Sequence, residues 1–471
     1  MARTIVSGGL VVTPSGTTAC DVVIEQGRFT GLLEGSSGID ADERIDATGL
    51  VVLPGGIDGH THFLQDDPEN TDAALAAPHP EEFDGFTNGG RGAAAGGVTT
   101  VIEMPQADPS TVTGELYHRK IDLAAHDAVV DYALWGGAIP GRTTSDLADM
   151  VEAGAVGFKA FTCNSDPTYP GLDDAQLMQT LEFLKDTPVM LGLHAENDAL
   201  LQRGLAEMRS AGRTDPMAHA ESRPPIVEIE AVNRAIFFAE RTGGWAHIVH
   251  MSSPGSAELI RQAKQRGVRI TCETCPQYLA LDLDDLARLG PFAKCAPAIR
   301  AREEVEMMWR YVADGVIDCL TSDHCAFTAE VKRSGREDIF DAPNGLAGIQ
   351  TLVPVFISEA RRRGLSWERI AQMTSETPAL LWHLAPKKGA IRVGTDADLI
   401  LLDPEGSWEV RGDDLLHTHK WSPFEGRTLQ GRIIRTILRG ETIYRLDAEE
   451  KVLVGAGFGR FVARQEGTSR I

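Results

Sequence analysis

The stretch Val51-Val52-Leu53-Pro54-Gly55-Gly56-Ile57-Asp58-Gly59-His60-Thr61-His62 decides the fold. An apolar strand and a glycine turn, residues 51–59, deliver two histidines separated by one residue. Period-two alternation puts both imidazoles on one face of a strand, which suits two ligands to one metal ion. A His-x-His pair is a weak signal alone, because polar residues often alternate at strand ends. It gains weight from the rest of the chain, where the same pattern recurs.

Further apolar runs end on chemistry-bearing residues in the same way. Ala155-Val156-Gly157-Phe158 leads to Lys159, and Val189-Met190-Leu191-Gly192-Leu193 leads to His194. Residues 245–249 lead to His250, and residues 316–322 lead to Asp323. Runs at 99–103, 131–135 and 268–271 complete the series, with helical stretches at 174–184, 226–241 and 255–265 among them. This alternation predicts an α/β fold with a parallel sheet and helical crossovers, most simply a (β/α)8 TIM barrel over residues 54–389.

The active site of such a barrel lies at the C-terminal ends of its strands. Each residue there has a plain alternative. A lone histidine after a strand is usually a packed or surface residue, Lys159 would be a solvated strand end, and Asp323 a helix N-cap. Four histidines, a lysine and an aspartate after five separate runs are not explained by packing, and they predict a metal site. His247, three residues before His250, is expected to face the opposite way, and His324 to act as a donor behind the site. His79, His118, His126, His219, His383, His417 and His419 fall in loops or helices and are assigned no chemistry.

The flanks have another texture. Short β-rich runs at 4–6, 9–12, 21–25 and 30–33 return near the end at 398–402, 408–410, 433–438 and 441–444. They predict a small β-sandwich built from both chain ends, residues 1–53 plus 390–450. A tail, 451–471, comes after it, and its residues 455–462 are expected to pack on a neighbouring subunit.

Composition narrows the partners. The 471 residues carry 45 Lys plus Arg against 68 Asp plus Glu, a net charge of -23. Such a surface repels phosphate backbones and anionic headgroups, so neither nucleic acid nor membrane is an expected partner. No basic segment leads into an apolar run, and no run is long enough to span a bilayer, so a cytoplasmic protein is expected. The seven scattered cysteines suit a reducing compartment. Cys272 and Cys275 have C-x-x-C spacing but lack a second pair nearby, which argues against a structural zinc.

These residues, in this order, resemble the amidohydrolase superfamily, and within it the cyclic amidohydrolases: dihydropyrimidinase, hydantoinase, allantoinase and dihydroorotase. Besides the opening stretch, the landmarks are Gly96-Gly97-Val98-Thr99-Thr100, Gly157-Phe158-Lys159, His194-Ala195-Glu196-Asn197, His247-Ile248-Val249-His250-Met251-Ser252-Ser253, Ser322-Asp323-His324 and Gly394-Thr395-Asp396-Ala397-Asp398-Leu399. The resemblance implies two Zn2+ ions, with Mn2+ or Co2+ also suited to the ligands. It places His60, His62 and Asp323 on one ion, and His194 and His250 on the other. Lys159, carboxylated by CO2, would bridge both. It also implies attack by a metal-bridging hydroxide on a cyclic amide, with Asp323 passing the proton to the leaving nitrogen. Members of the family are often homotetramers, which is the expected assembly.

The ring is narrowed by departures. Dihydroorotases carry an Arg and a His where this chain has Leu64 and Phe327, and D-selective hydantoinases and dihydropyrimidinases carry a Tyr where it has Asn164. Allantoinases usually read Cys-Pro-His and Cys-Ser-Pro where this chain has Cys275-Pro276-Gln277 and Cys295-Ala296-Pro297. L-selective hydantoinases resemble it more closely at Pro276-Gln277-Tyr278-Leu279, Gly290-Pro291-Phe292, Ala296-Pro297, Asn344-Gly345 and Gly457-Phe458-Gly459-Arg460-Phe461-Val462. The resemblance places ring-binding backbone groups at Ala296 and Asn344 and selecting lids at 63–85 and 161–171. A 5-substituted hydantoin is the first expectation and allantoin the second. A non-catalytic assembly protein related to dihydropyrimidinase is a minor third, since such proteins lack the ligands that are all present here. A mononuclear deaminase is disfavoured by Lys159.

Overall fold

The structure is a computed structural model and describes residues 3–63, 83–107, 109–164 and 169–465. The lid segments expected at 63–85 and 161–171 fall partly outside these residues, as do Leu64 and His79.

Eight parallel strands form the barrel. Gly56–Thr61, Val98–Glu103 and Asp131–Leu134 pair in that order, and the third continues past Trp135 as Gly136–Gly137. Gly157–Phe161, Met190–His194, Ala246–Ile248, Ile270–Thr274 and Cys319–Leu320 complete the series. The ring closes where His62 N donates to His324 O (2.7 Å) and Ser322 N to Asp58 Oδ1 (3.0 Å). Helices return the chain between strands, and their ends carry the expected stops. Asp173 and Gln176 form a capping box at Asp174–Leu184, and Gly243 ends Pro225–Thr242 in the left-handed region.

Two tryptophans fill the barrel below the strand ends. Trp135 and Trp382 are fully buried with ring centroids 6.1 Å apart, and Trp135 Nε1 donates to Gly59 O (2.9 Å). A Cβ on Gly59 would lie 1.9 Å from the Trp382 ring, and one on Gly157 2.4 Å from Trp135. Only glycine admits the rings at these two places.

The opening stretch serves two sheets. Val51–Pro54 runs parallel to Arg3–Thr13 and antiparallel to Leu399–Glu409, and after Gly55 the chain enters the barrel as Gly56–Thr61. Both chain ends thus share one eight-stranded sheet. Its far strand, Arg28–Leu33, bonds back to Thr395 through Phe29 N (3.1 Å), so the sheet wraps around a core of Val6, Val22, Phe29, Val52, Leu399 and Ile437. Arg3–Thr13 is one strand with an irregularity between Val6 and Gly9, in place of the two short runs expected.

Residues 459–462 are bonded to their own chain. Tyr132 N donates to Arg460 O (3.0 Å) and Val462 N to Tyr132 O (2.7 Å), so this segment lies along its own barrel. Asp131 at the start of that strand anchors a buried ion cluster. Lys388 Nζ lies 2.6 Å from Asp131, 2.8 Å from Asp398 and 3.1 Å from Asp396. Arg439 also pairs with Asp131, joining barrel and sheet domain.

Removing one partner of a buried ion cluster costs about 3–5 kcal/mol, because the charges left behind remain desolvated. Lys388→Ala is therefore expected to lower the melting temperature by about 3–5 °C in a chain of this size. An unchanged calorimetric transition would remove the cluster from the account of stability.

Candidate metal centre

The six residues singled out at strand ends come together. His60 and His62 end the first barrel strand, Lys159 lies in the fourth and His194 ends the fifth. His250 comes after the sixth and Asp323 after the eighth. His60 Nε2 is 3.2 Å from both His62 Nε2 and Asp323 Oδ1, and His62 Nε2 is 3.5 Å from the same oxygen. His194 Nδ1 is 2.9 Å from His250 Nε2, and the His60 and His250 ring centroids are 5.4 Å apart. All are buried except Asp323, whose side chain keeps 14% of its surface.

Carboxylates behind the rings fix which nitrogens face inward. Glu273 Oε1 accepts from His60 Nδ1–H at 2.5 Å, so Nε2 presents a lone pair to His62 and Asp323. Glu196 Oε2 accepts from His194 Nε2–H at 2.8 Å, so Nδ1 presents a lone pair to His250. Acceptors gathered this closely fit a cation between them. His60, His62 and Asp323 meet a metal-site spacing, with donor atoms within 4.8 Å of one another. Cys163, His194 and Glu196 do so too, but Glu196 is already engaged by Arg223 and the His194 proton.

Burial sets the charge states. It pushes His60 down to about 4, reinforced by Lys159 and opposed by Glu273 and Asp323, so the ring is neutral. Burial also brings Lys159 down to about 8 against the pull of Asp323 and Glu273. Burial would raise Asp323, but His60, His62 and Lys159 outweigh it and hold the carboxyl below its ordinary range. Asp58, which accepts from Ser322 and His60 N, is pushed up to about 7 by burial.

Two backbone conformations are unusual. His250 has φ +39° and Asp323 φ +50°, in the left-handed region that non-glycine residues seldom enter. The turn at His250 corrects the expected facing of His247. The sixth strand ends at Ile248, and His247 is buried with Nε2 3.2 Å from Glu273 Oε2. Both histidines approach Glu273, since His250 N donates to its Oε1 (3.2 Å).

The remaining expected residues are more scattered. Ala296 and Asn344 are half-buried, and Asn344 Oδ1 is buried without a partner among the described residues. Asn164 is exposed, where its N donates to Asp198 (2.9 Å). His324 stands behind the site, with Nε2 2.9 Å from Asp84 and Nδ1 accepting from Gly348 N and Ile349 N. All seven cysteines are free, and Cys272 and Cys275 are buried. Reasoning from strand ends passed over Glu273, Glu196 and Asp58. Glu273 was signalled by a single acid in an otherwise uncharged strand, Ile270-Thr271-Cys272-Glu273-Thr274.

A closed barrel with metal-binding groups gathered at its strand ends defines a class of enzyme scaffold rather than one protein. Residues 51–443 match the amidohydrolase family, and the chain belongs to that family. An allantoinase from Rubrobacter xylanophilus is 40% identical over 471 residues, covering 98% of this chain and 97% of its own. An L-hydantoinase from Paenarthrobacter aurescens is 34% identical and is covered over 99% of each chain. The solved L-hydantoinase (dihydropyrimidinase) from Arthrobacter aurescens superposes with a TM-score of 0.92 at 34% identity, covering 98% of this chain and all of the other.

Glu273→Gln keeps the size of the side chain and removes the charge that orients His60. Zinc affinity, measured by chelator competition, is expected to fall about 10–100-fold. Affinity equal to that of the unaltered protein would show that the carboxylate does not set the ligand.

Proposed function

We propose that the protein hydrolyses a cyclic amide, opening a 5-substituted hydantoin ring. The observation that carries this is the convergence of four histidines, Asp323 and Lys159 at the open end of the barrel. In this reading His60, His62 and Asp323 hold one Zn2+, and His194 and His250 the other. Lys159, as a carbamate, would be a ligand to both. Mn2+ and Co2+ suit the same ligands. Bound there, the two ions would polarise the amide carbonyl and lower the pKa of water.

The chain's own groups supply the rest. Burial keeps a usable fraction of Lys159 as free amine near neutral pH. Its Nζ bonds to the carbon of CO2 and loses a proton, giving an anion with two oxygens where a lysine cation would repel metal. Asp323, ionised and partly open, takes the proton of the attacking water. It then delivers that proton to the ring nitrogen as the C–N bond breaks. Backbone groups at Ala296 and Asn344 hold the ring.

The substituent is proposed to meet Phe83 and Phe327. Phe83 and Phe327 are half-buried and pack edge to face with centroids 5.9 Å apart, next to Asp84 and four residues beyond Asp323. This pair favours an apolar or aromatic 5-substituent. Allantoin, itself a hydantoin with a ureido group at position 5, is the second reading. It is favoured by the 40% identical allantoinase and by Asn344 Oδ1, an acceptor for a ureido N–H that has no partner among the described residues. No helix among the described residues is long and apolar enough to cross a membrane. The seven free cysteines support a cytoplasmic location. Assembly into a homotetramer is proposed, with exposed Ile226 and Phe237 on one helix as candidate interface residues.

Metal-loaded protein tested on hydantoin, 5-benzylhydantoin, allantoin, dihydrouracil and dihydroorotate is expected to open 5-benzylhydantoin with the highest kcat/KM. Dihydroorotate is expected to be at least about tenfold poorer, because Leu64 and Phe327 stand where dihydroorotases carry an Arg and a His. Chelation should abolish turnover. Preference for allantoin selects the second reading, and no opening of any ring rejects both.

A further inference from the structure

The two backbone segments assigned to the ring are joined by buried lysines that the reaction does not use. Around Ala296 the neighbouring carbonyls are engaged. Lys294 O accepts from Gly345 N (3.1 Å), His219 Nε2 donates to Cys295 O (2.8 Å), and Tyr278 Oη–H donates to Pro297 O (2.8 Å). The other segment lies alongside, and Leu346 O accepts from Cys325 N (3.1 Å), two residues beyond Asp323.

Lys332, on the short helix Ala329–Arg333, is fully buried. Its Nζ donates to Pro343 O (2.9 Å), Gly345 O (2.9 Å) and Lys294 O (3.3 Å). Three carbonyls match the three N–H bonds of an ammonium, whereas a neutral amine has only two. Lys294, also buried, turns its Nζ to Phe340 O (3.3 Å) and Ala342 O. Neither lysine has a carboxylate in ion-pair range among the described residues. A buried cation without a counter-ion is costly, and burial with the nearby Lys294 charge pulls Lys332 down to about 7. Apolar side chains would fill this space more cheaply. The lysines do what apolar groups cannot, which is to hold carbonyls of separate segments at a fixed distance.

We propose that Lys332 is a positioning residue for the substrate: its Nζ ties the carbonyls of Lys294, Pro343 and Gly345 and so sets the separation of the Ala296 and Asn344 backbone groups that grip the ring. Lys294 secures the same loop from its other side. This inference rests on the ring-opening reading above.

The test uses the metal-loaded full chain and Lys332→Met, which keeps the length of the side chain and removes its donors. KM for the ring that the unaltered protein opens is expected to rise about tenfold or more, with kcat within about threefold. Metal content should stay unchanged. Amide hydrogen exchange should quicken at 294–296 and 344–346 but not in Gly56–Thr61 or Met190–His194. If Lys332→Met does not fold, Lys294→Met is expected to move KM and exchange in the same direction by a smaller factor. KM within about twofold of the unaltered protein, or equal loss of kcat and metal, overturns the proposal. The exchange readout needs no substrate. A protein that opens no ring therefore refutes the function, while unchanged exchange refutes the clamp.

Discussion

The Glu273 carboxylate, sealed inside the barrel, is the contact on which the site depends. It accepts from His60 Nδ1, His247 Nε2 and the backbone N of His250. The surrounding histidines keep it ionised against burial. Hydrogen bonds to a charged group contribute about 1.5–3 kcal/mol each. Together the three exceed the roughly 1–3 kcal/mol cost of a left-handed turn at a residue such as His250. One acid in the seventh strand thereby orients His60 from the first strand and holds the turn after the sixth.

The scaffold beneath is built to keep these groups still. Trp135 and Trp382 close the barrel under the histidines, and the first strand is continuous with the centre of the sheet domain through Gly55. Lys388 and Arg439 tie the same two units together through Asp131. The rigid elements carry the proposed metal ligands. The groups expected to grip the ring sit on irregular segments, and these are held by the buried Lys294 and Lys332.

Much of this was legible in the residues, and the exceptions share a cause. His60, His62, Lys159, His194, His250 and Asp323 stand after apolar runs, and strand periodicity with barrel geometry is enough to bring them together. Glu273, Glu196 and Asp58 are single acids within or beside such runs, where local pattern reads them as interruptions. Their meaning comes from partners far away, such as the 213 residues between His60 and Glu273. Strand parity misplaced His247 because it extended a strand through residues that leave it by a left-handed turn. Lys332 carried no signal at all, since a lysine on a short polar helix ordinarily reads as surface. The course of residues 459–462 along their own barrel was equally hidden, because an apolar segment does not state which surface it covers.

The central claim is that two metal ions share a carboxylated Lys159. It is tested most directly by carbon-13 NMR of zinc-loaded protein equilibrated with labelled bicarbonate, with metal counted on the same sample. The account predicts one lysine carbamate signal and two equivalents of zinc per chain, with the signal absent from Lys159→Ala. A single equivalent of zinc with no carbamate signal would contradict it.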